Sequence, residues 1–414
     1  MPTDGAPRIF VSVPSEALGY VGSILEAGGE PTVLDLPTER PAGGVALHRE
    51  WVADWTEVFC SEHGIGALLL SAAEPAELAG LLIAALRLDL PAVVVPTMKP
   101  FCIALAAMGF APLAEDAAKV VVELAGAGRP RLRELVESFS LANALRAGMA
   151  AGAGPELLVH LAAIAREAGA VGFPQMIRVL TPESPAVTSP GSPWFAEHGG
   201  TGLLAYLGAT LHDARTVTGR LKEALPPAAP PAPPPETAGL RLVFVRGRAS
   251  GTEVLCHRDA TRRELSGSCR VFASEEAAVH AVENGEVDPG ALLVVTGCGP
   301  RGGPGLLRLD RLGDALDEVG LSVPVLTDGL APEEASGGWA SLMTPEAAAD
   351  GVISRLRNGD SLRLDLDDGL IRTGVVAEEI RRREPFAVPA PSGSGYAARY
   401  ARSALPALEG AGFG

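Results

Sequence analysis

One loop of the chain combines a cysteine with a run of glycines. Cys298 precedes the segment Gly-Pro-Arg-Gly-Gly-Pro-Gly at residues 299–305. A loop cysteine acts as a nucleophile when a nearby cation such as Arg301 stabilises its thiolate, and otherwise it fills space as a small apolar side chain. Backbone N–H groups in such a run can bind a carboxylate or phosphate, but the same glycines also suit a tight connection that the fold requires. The ligand-binding interpretation assigns that role to Gly299, Arg301, Gly302 and Gly303.

Glu74 and His198 are candidate proton-transfer groups elsewhere in the chain. Glu74 lies between an apolar strand pattern and a helical pattern, where a carboxyl group in a dry cleft can act as a general acid or base. The alternative is a carboxylate that interacts with the helix dipole. His198 precedes two glycines, which let a backbone approach a ligand, and the alternative is a loop histidine without a catalytic role. Together with Cys298, these two residues are the candidate catalytic groups.

Alternating strands and helices are predicted to position these residues. Buried strands are predicted at four short apolar runs, at 9–13, 32–36, 67–70 and 92–95. Helical patterns lie between them, at about 50–62 and 75–88. Such alternation is typical of a parallel α/β sheet. Because the pattern from 117 to 225 is mainly helical, we expect an α/β domain with a helical part at 1–225.

A proline-rich segment divides the chain once. Residues 226–238 contain repeated prolines, which cannot sustain helix or sheet hydrogen bonding and therefore predict an extended linker. Residues 239–405 contain apolar strand patterns, including the alternating run at 361–366. They predict a β-rich second domain. Residues 406–414 are predicted to be a flexible tail.

The composition restricts the class of protein. The 414 residues are 47% hydrophobic and 20% charged, which is typical of a globular chain of two or three domains. A net charge of −16 argues against a nucleic-acid partner. We see no signal peptide and no apolar run as long as a membrane span. Five widely spaced cysteines without a CxxC pair suit a reducing compartment, so we expect a cytoplasmic protein.

Several ordered motifs of the chain resemble one enzyme family. In the C-terminal half these motifs lie at 270–277, 285–290, 299–305, 327–329, 344–348 and 358–360. In the N-terminal half they lie at 26–29, 84–88, 160–169 and 216–219. A single glycine-rich loop would be weak evidence, but the ordered set spans most of the chain. On these motifs the chain resembles the dihydroxy-acid and phosphogluconate dehydratases, as a shortened and degenerate member. The resemblance implies that the β-rich C-terminal domain is a barrel-like swivelling domain.

The resemblance implies that the residues for the family's chemistry are missing. The family removes water from a 2,3-dihydroxy acid with an iron–sulfur cluster, a magnesium ion and a serine base. The family's cysteine-aspartate-lysine motif falls on Glu74-Pro75-Ala76, and its glutamate before the glycine-rich loop is Cys298. Pro332 falls at the position of the serine base, because the similar Ser336-Gly337-Gly338 lies four residues too late.

The resemblance therefore implies a repurposed family member that needs no cofactor. We expect a lyase or isomerase that acts on a small acidic or polyhydroxy ligand and transfers protons through Glu74, Cys298 or His198. The alternatives are a non-catalytic subunit that pairs with an active dehydratase, and a ligand-binding protein. We expect a homodimer, or a heteromer with an active dehydratase. Because Glu74 and Cys298 replace ligands of one cofactor assembly, we also expect their side chains to lie close together.

Overall fold

The chain folds into two compact units. The computed structural model describes residues 6–12, 18–34, 43–184, 186–189, 191–234, 241–247, 251–259, 261–303, 305–333, 335, 338–389 and 391–414. Described residues within 1–40, 48–153 and 160–239 form the first unit, and those within 41–47, 154–159 and 240–414 form the second. None of the helices in these described ranges is both long and apolar enough to cross a membrane.

The first unit contains a four-stranded parallel sheet. Its strands lie in the order β2-β1-β3-β4 and comprise β1 (Arg8–Ser12), β2 (Glu30–Leu34), β3 (Ala67–Leu70) and β4 (Ala92–Val94). Both β3 and β4 are buried along their whole length, as apolar strands covered on both faces of a parallel sheet must be. The predicted parallel α/β sheet is confirmed.

Helices connect the strands of this sheet and then make up most of the chain from β4 to the linker. They are α1 (Leu18–Glu26), α2 (Val45–His63), α3 (Pro75–Leu88), α4 (Pro100–Ala107), α5 (Ala117–Ala127), α6 (Ser138–Ala150), α7 (Pro155–Glu167), α8 (Phe173–Glu183), α9 (Pro193–Tyr206) and α10 (Leu221–Ala224). A short antiparallel hairpin, β5 (Arg215–Thr216) and β6 (Gly219–Arg220), precedes α10. Helix α3 begins at a proline, which suits the first helical position, and is buried from 78 to 86.

Part of the proline-rich linker is anchored to the first unit. Residues 226–234 contain neither helix nor strand, and 235–238 lie outside the described residues. The indole N–H of Trp194 on α9 donates a hydrogen bond to the Pro231 carbonyl at 2.9 Å. An extended proline-rich backbone has unsatisfied carbonyl groups, so a tryptophan N–H is a natural partner for it.

The second unit is built on a closed eight-stranded barrel. Its strands are β7 (Arg241–Arg246), β8 (Glu253–Arg258), β9 (Glu264–Phe272), β10 (Ala291–Val295), β11 (Val325–Thr327), β12 (Trp339–Thr344), β13 (Ser361–Asp365) and β14 (Leu370–Thr373). They follow the order β10-β11-β12-β8-β7-β14-β13-β9 around the barrel. β9 to β12 pair in parallel, and closure through β13 and β8 is antiparallel. The predicted barrel-like C-terminal fold is confirmed.

Two apolar clusters stabilise the second unit. Alternate side chains of the strands fill the barrel interior, among them Val245, Cys256, Cys269, Leu292, Leu326 and Leu364. The outer face of β10 and β11 packs under α11 (Glu275–Glu283) and α12 (Asp310–Glu318), with Leu293, Leu312 and Val325 in the contact. Two further helices, α13 (Ala377–Arg382) and α14 (Tyr396–Ser403), follow the last strand.

The last residues are packed, which corrects the prediction of a flexible tail at 406–414. Ala407 is 5% exposed, Leu408 3% and Ala411 0%. The hydroxyl of Tyr400 donates a hydrogen bond to the Ala411 carbonyl, and the ring of Phe413 lies 5.5 Å from the Tyr400 ring. The glycines and alanines of this segment resemble a flexible tail in composition, but their small size is what lets the backbone pack closely against α14.

Candidate functional site

Asp328 holds the backbone of the loop that carries Cys298. One carboxylate oxygen of Asp328 accepts the Cys298 N–H at 2.9 Å. The other accepts the N–H groups of Gly297 at 3.2 Å and Ala347 at 2.8 Å. Asp328 is 1% exposed, and this burial raises the pKa of its carboxyl group although the N–H donors lower it. Asp328 therefore fixes the loop that follows β10.

The thiol of Cys298 lies in an apolar cluster. It is 1% exposed and belongs to the cluster formed by α11, α12 and the outer face of β10. Burial raises the pKa of the thiol, and the nearby Asp328 carboxylate raises it further. A nucleophilic cysteine needs a lowered pKa and access to a substrate. This environment therefore favours the space-filling interpretation of Cys298.

The glycines at 299–305 permit close packing of the backbone. A Cβ atom at Gly299 would lie 2.1 Å from Oε2 of Glu346. Gly305 has a φ of 99°, and a Cβ atom there would lie 2.3 Å from the Cβ of Leu47. Similar steric limits apply at two more positions, Gly302 and Gly303. The tight connection thus accounts for these glycines whether or not a ligand binds.

Glu346 is a buried carboxyl group beside this loop. It is 8% exposed, and its Oε2 accepts the backbone N–H of Arg301 at 3.1 Å. Burial raises the pKa of the Glu346 carboxyl to about 7, while the hydrogen bond from Arg301 lowers it and the Asp328 carboxylate raises it. A general acid or base works best when its pKa lies near the operating pH. Glu346 is therefore a proton-transfer candidate.

A cavity of about 370 Å³ lies next to the loop. Residues of the loop, of the segment before α14 and of α14 itself line it, among them Arg301, Gly302, Phe386, Val388, Ala398 and Arg402. The Nε–H of Arg301 donates to the Ala404 carbonyl at 2.9 Å, which ties the loop to the C-terminal segment. Two of the predicted ligand-binding residues thus line a cavity of the size that small-molecule sites have.

Glu74 lies at the N-terminus of α3 in the first unit. Its backbone is extended, and its carbonyl accepts the N–H of Leu78 at 3.2 Å, while its side chain does not cap the helix. The residue is partly exposed. Cys298 belongs to the second unit. That the two side chains meet, and that Glu74 transfers protons, stay predictions.

His198 packs against an aromatic side chain of α9. Its ring lies 4.9 Å from that of Trp194 in an edge-on arrangement. The next residue, Gly199, has a φ of 62° and interrupts the helix. Because Trp194 also binds the linker at Pro231, His198 supports the side chain that anchors the linker. Its position favours a packing role, and a catalytic role stays a prediction.

The cysteines are buried in different parts of the two units. Cys60 lies on α2 and Cys102 on α4, whereas Cys256 and Cys269 lie inside the barrel and Cys298 outside it. Burial raises the pKa of each thiol, to about 12 for Cys60 and Cys269. Among the residues that the structure describes, no group of three or more His, Cys, Asp or Glu side chains could hold a metal ion.

Pro332 occupies the predicted position of the serine base and packs on α12. A Cβ atom at Gly313 would lie 2.6 Å from the Cγ of Pro332. The side chain of Glu333 is 60% exposed, and its Oε2 lies 3.9 Å from an Arg308 nitrogen. Ser336, which resembles the family's serine, lies outside the described residues. A proline has no side-chain proton to transfer, and the loss of the serine base stays a prediction.

Sequence analysis did not identify Glu346 and Arg402 as site residues. Glu346 belongs to the segment at 344–348, whose match to the family served only to align the chain. The one hint in the sequence was that Glu346 is a charged residue between a proline and a run of alanines. Arg402 lies on α14, close to the predicted tail. Only the fold brings it to the cavity beside the glycine-rich loop.

Comparison with known proteins places the chain in a family. Residues 243–411 match the family described as dihydroxy-acid/6-phosphogluconate dehydratase C-terminal. The chain is 30% identical over 305 residues to the dihydroxy-acid dehydratase of Geobacter metallireducens, covering 67% of this chain and 54% of that relative. It is 32% identical over 325 residues to dihydroxy-acid dehydratase 2 of Bordetella bronchiseptica, covering 72% of this chain and 56% of that relative. The chain spans about half the length of the curated relatives it matches. The resemblance carried by the ordered motifs is thereby confirmed, and the chain belongs to the dihydroxy-acid/6-phosphogluconate dehydratase family.

Proposed function

We propose that this chain is a repurposed dehydratase-family protein that handles a small oxygenated acid without an iron–sulfur cluster or a magnesium ion. The chemistry of its thiols carries the proposal. An iron–sulfur cluster needs several cysteine thiolates around one centre. Here Cys256 and Cys269 share the barrel interior, whereas Cys60, Cys102 and Cys298 are buried at other places. Burial raises the pKa of each of the five thiols. These donors do not fit a cluster.

The carboxylates beside the glycine-rich loop also fit magnesium poorly. Asp328 accepts three backbone N–H groups, and Glu346 accepts one from Arg301. Burial raises the pKa of both carboxyl groups, which disfavours the charged form that a hard cation binds. Both observations support a protein that works without the family's cofactors.

Purified protein is expected to be colourless and to hold far less iron than one cluster per chain. Anaerobic purification followed by elemental analysis and visible absorption measures this. An active dehydratase of the family, purified in parallel, controls for cluster loss during handling. Iron near one cluster per chain, with the corresponding absorption, would overturn the proposal.

Proton transfer by Glu346 would make the chain a cofactor-independent lyase or isomerase. A carboxyl group of pKa about 7 can both take up and release a proton near neutral pH. Glu346 also adjoins the cavity, because the next residue, Ala347, lines it and so does its hydrogen-bond partner Arg301. Glu346 therefore takes over the role for which Glu74, Cys298 and His198 are the sequence candidates.

A second candidate function, ligand binding without turnover, is favoured by one contact. The Glu346 carboxylate holds the loop through the Arg301 N–H, which is a structural role that needs no chemistry. On this view the chain is a non-catalytic binding protein or a partner subunit of an active dehydratase. The loop would then present Arg301 to the ligand while Glu346 keeps the loop in place.

Glu346→Gln is expected to separate the two functions. Glutamine still accepts the Arg301 N–H but cannot transfer a proton, so a catalytic Glu346 predicts a loss of turnover of roughly 100-fold or more. Hydrogen–deuterium exchange at the C–H groups of a panel of 2-hydroxy and 2,3-dihydroxy acids, followed by NMR in D₂O, measures this chemistry. If wild type catalyses hydrogen–deuterium exchange and Glu346→Gln does so at the same rate, Glu346 is not the base. Binding without exchange by either protein would favour the second function.

The same variant has a pH signature in stability. The folded-state pKa of about 7 lies above the ordinary value of 4.5, so the stability that Glu346 contributes is fully present below pH 4.5 and lost as pH rises through 7. From pH 6 to pH 8, urea unfolding should show Glu346→Gln gaining roughly 1 kcal/mol relative to wild type. A difference in unfolding free energy between the two proteins that does not change with pH would contradict the raised pKa of Glu346.

A further inference from the structure

The cavity beside the glycine-rich loop has positive charge in an acidic chain. The chain carries a net charge of −16, yet Arg301 and Arg402 both line this cavity. Among the described residues of its lining, the one carboxylate is Asp350, which is paired with the guanidinium of Arg355 at 2.5 Å. The neighbouring Glu346 carboxyl is buried and bound to the loop backbone. Two arginines therefore line the cavity, and neither forms an ion pair with a carboxylate among the described residues, although the Glu346 carboxyl is near enough for the Arg301 charge to lower its pKa.

Both guanidinium groups keep N–H donors for a ligand. Arg301 uses its Nε–H on the Ala404 carbonyl, and Arg402 uses one terminal nitrogen on the Gly393 carbonyl at 3.2 Å. Their other N–H groups have no partner among the residues that the structure describes. A guanidinium held at one edge presents its remaining N–H groups in a fixed plane, which suits carboxylate and phosphate oxygens.

The remaining wall of the cavity is apolar. Phe386, Val388 and Ala398 contribute to it. The guanidinium carbon of Arg357 lies 4.3 Å from the centre of the Phe386 ring, and this contact holds the ring in position. At about 370 Å³ the cavity has room for roughly a dozen water-sized groups. These features suit a ligand that is small, negatively charged and apolar between its charges.

We propose that this cavity binds a small organic dianion whose two acidic groups pair with Arg301 and Arg402 and whose carbon chain lies against Phe386 and Val388. Dicarboxylates and phosphorylated acids share this chemistry. The inference names the ligand class for the small acid of the proposed function and to that extent rests on it. Binding measurements alone test the ligand class. Iron analysis and proton exchange test the proposed function separately, so failure of one can be told from failure of the other.

Calorimetric titration of the full chain tests the proposal with matched probes. Glutarate is expected to bind at least tenfold more tightly than pentanoate, which has the same carbon chain and one carboxylate. 3-Phosphonopropionate, which carries one phosphonate and one carboxylate, distinguishes a phosphorylated acid from a dicarboxylate. If it binds more tightly than glutarate, the dianion is a phosphorylated acid, and the reverse order indicates a dicarboxylate.

Variants of α14 supply the controls. Arg402→Gln is expected to weaken glutarate about tenfold and to remove its advantage over pentanoate. Arg399→Gln removes the same charge from another exposed residue of the same helix, one outside the cavity lining, and should leave binding unchanged. Ala401→Phe should block the cavity, which Ala401 lines, without a change of charge. Failure of every anion to bind at millimolar concentration, equal binding of glutarate and pentanoate, or equal losses in Arg402→Gln and Arg399→Gln would each overturn the proposal.

Discussion

Replacing Arg87 with alanine is expected to lower the free energy of unfolding of the first unit by about 2–4 kcal/mol. The Arg87 guanidinium on α3 lies at the centre of an acidic cluster formed by α2 and α7. Its nitrogens lie within 2.8–3.4 Å of carboxylate oxygens of four residues, Glu50, Asp54, Glu57 and Glu167. Without the cation, four negative groups would face one another.

Glu50 sets the size of this effect. Its side chain is 3% exposed, and among the described residues its remaining cation after removal of Arg87 is Arg49, at 2.8 Å. A buried carboxylate that loses a cation costs several kcal/mol, whereas exposed pairs contribute little. Asp54 and Glu57, at 46% and 41% side-chain exposure, should therefore add less. Arg87→Lys keeps the charge but not the planar fork of donors. Its free energy of unfolding should therefore lie between those of wild type and Arg87→Ala.

Urea unfolding followed by tryptophan fluorescence measures the loss. Trp51 and Trp55 lie on α2 in the same unit, next to Glu50 and Asp54 in sequence. Arg8→Ala is the matched control, because the Arg8–Glu30 pair of this unit has both side chains more than half exposed, at 52% and 56%. We expect Arg8→Ala to cost at most about 1 kcal/mol. Equal losses in the two variants would show that the Arg87 cluster contributes no more than a surface pair.

Local pattern predicted the framework of the first unit well. The runs at 67–70 and 92–95 correspond to β3 and β4, and the helical pattern at 75–88 corresponds to α3 with the same limits. These elements are buried on nearly all sides, so apolar composition alone identifies them. The predicted strand at 32–36 begins at Glu30 instead, because pairing with β1 and not apolar composition sets its start. Residues 35 and 36 lie outside the described residues.

The site was less predictable because long-range contacts define it. The pKa of Glu346 depends on burial and on a backbone N–H from Arg301, which is far away in the sequence. The sequence left Cys298 as either a nucleophile or a space-filling side chain, because the helices that bury its thiol are separate elements of the chain. His198 next to glycine suggested a ligand, whereas its neighbour in space is Trp194. Sequence motifs and their spacing show which residue types are present. They do not show which side chains surround each residue in the folded protein.

Lowering the pH from 7.5 to 5 is expected to destabilise wild type by about 2 kcal/mol relative to the variant His257→Leu. His257 lies on β8, where Cys256 fills the barrel interior and His257 points to the opposite face. It is 4% exposed, and neither ring nitrogen has a hydrogen-bond partner in the described part of the chain. Burial lowers the pKa of its imidazole from 6.5 to about 4.

The sign follows from this depressed pKa. Above pH 6.5 the imidazole is neutral in both folded and unfolded chains, so His257 causes no pH dependence there. As pH falls below 6.5 the unfolded chain takes up a proton that the folded chain refuses, and stability is lost until pH approaches the folded-state pKa of about 4. The full loss across that interval is about 3 kcal/mol. Glu346 has the opposite dependence, since its raised pKa adds stability towards low pH, so wild type alone would show a partial cancellation.

The difference between His257→Leu and wild type isolates the imidazole, because Glu346 is present in both proteins. At pH 7.5 the leucine variant should be at least as stable as wild type, since it removes two buried ring nitrogens that lack partners. Urea unfolding at pH 7.5, 6 and 5 should then show that the stability advantage of His257→Leu over wild type increases as the pH falls. His280→Leu is the matched control, because His280 is exposed on α11 of the same unit. An advantage that stays constant from pH 7.5 to 5, or one that increases equally in the His280 variant, would mean that His257 is not the group that refuses the proton.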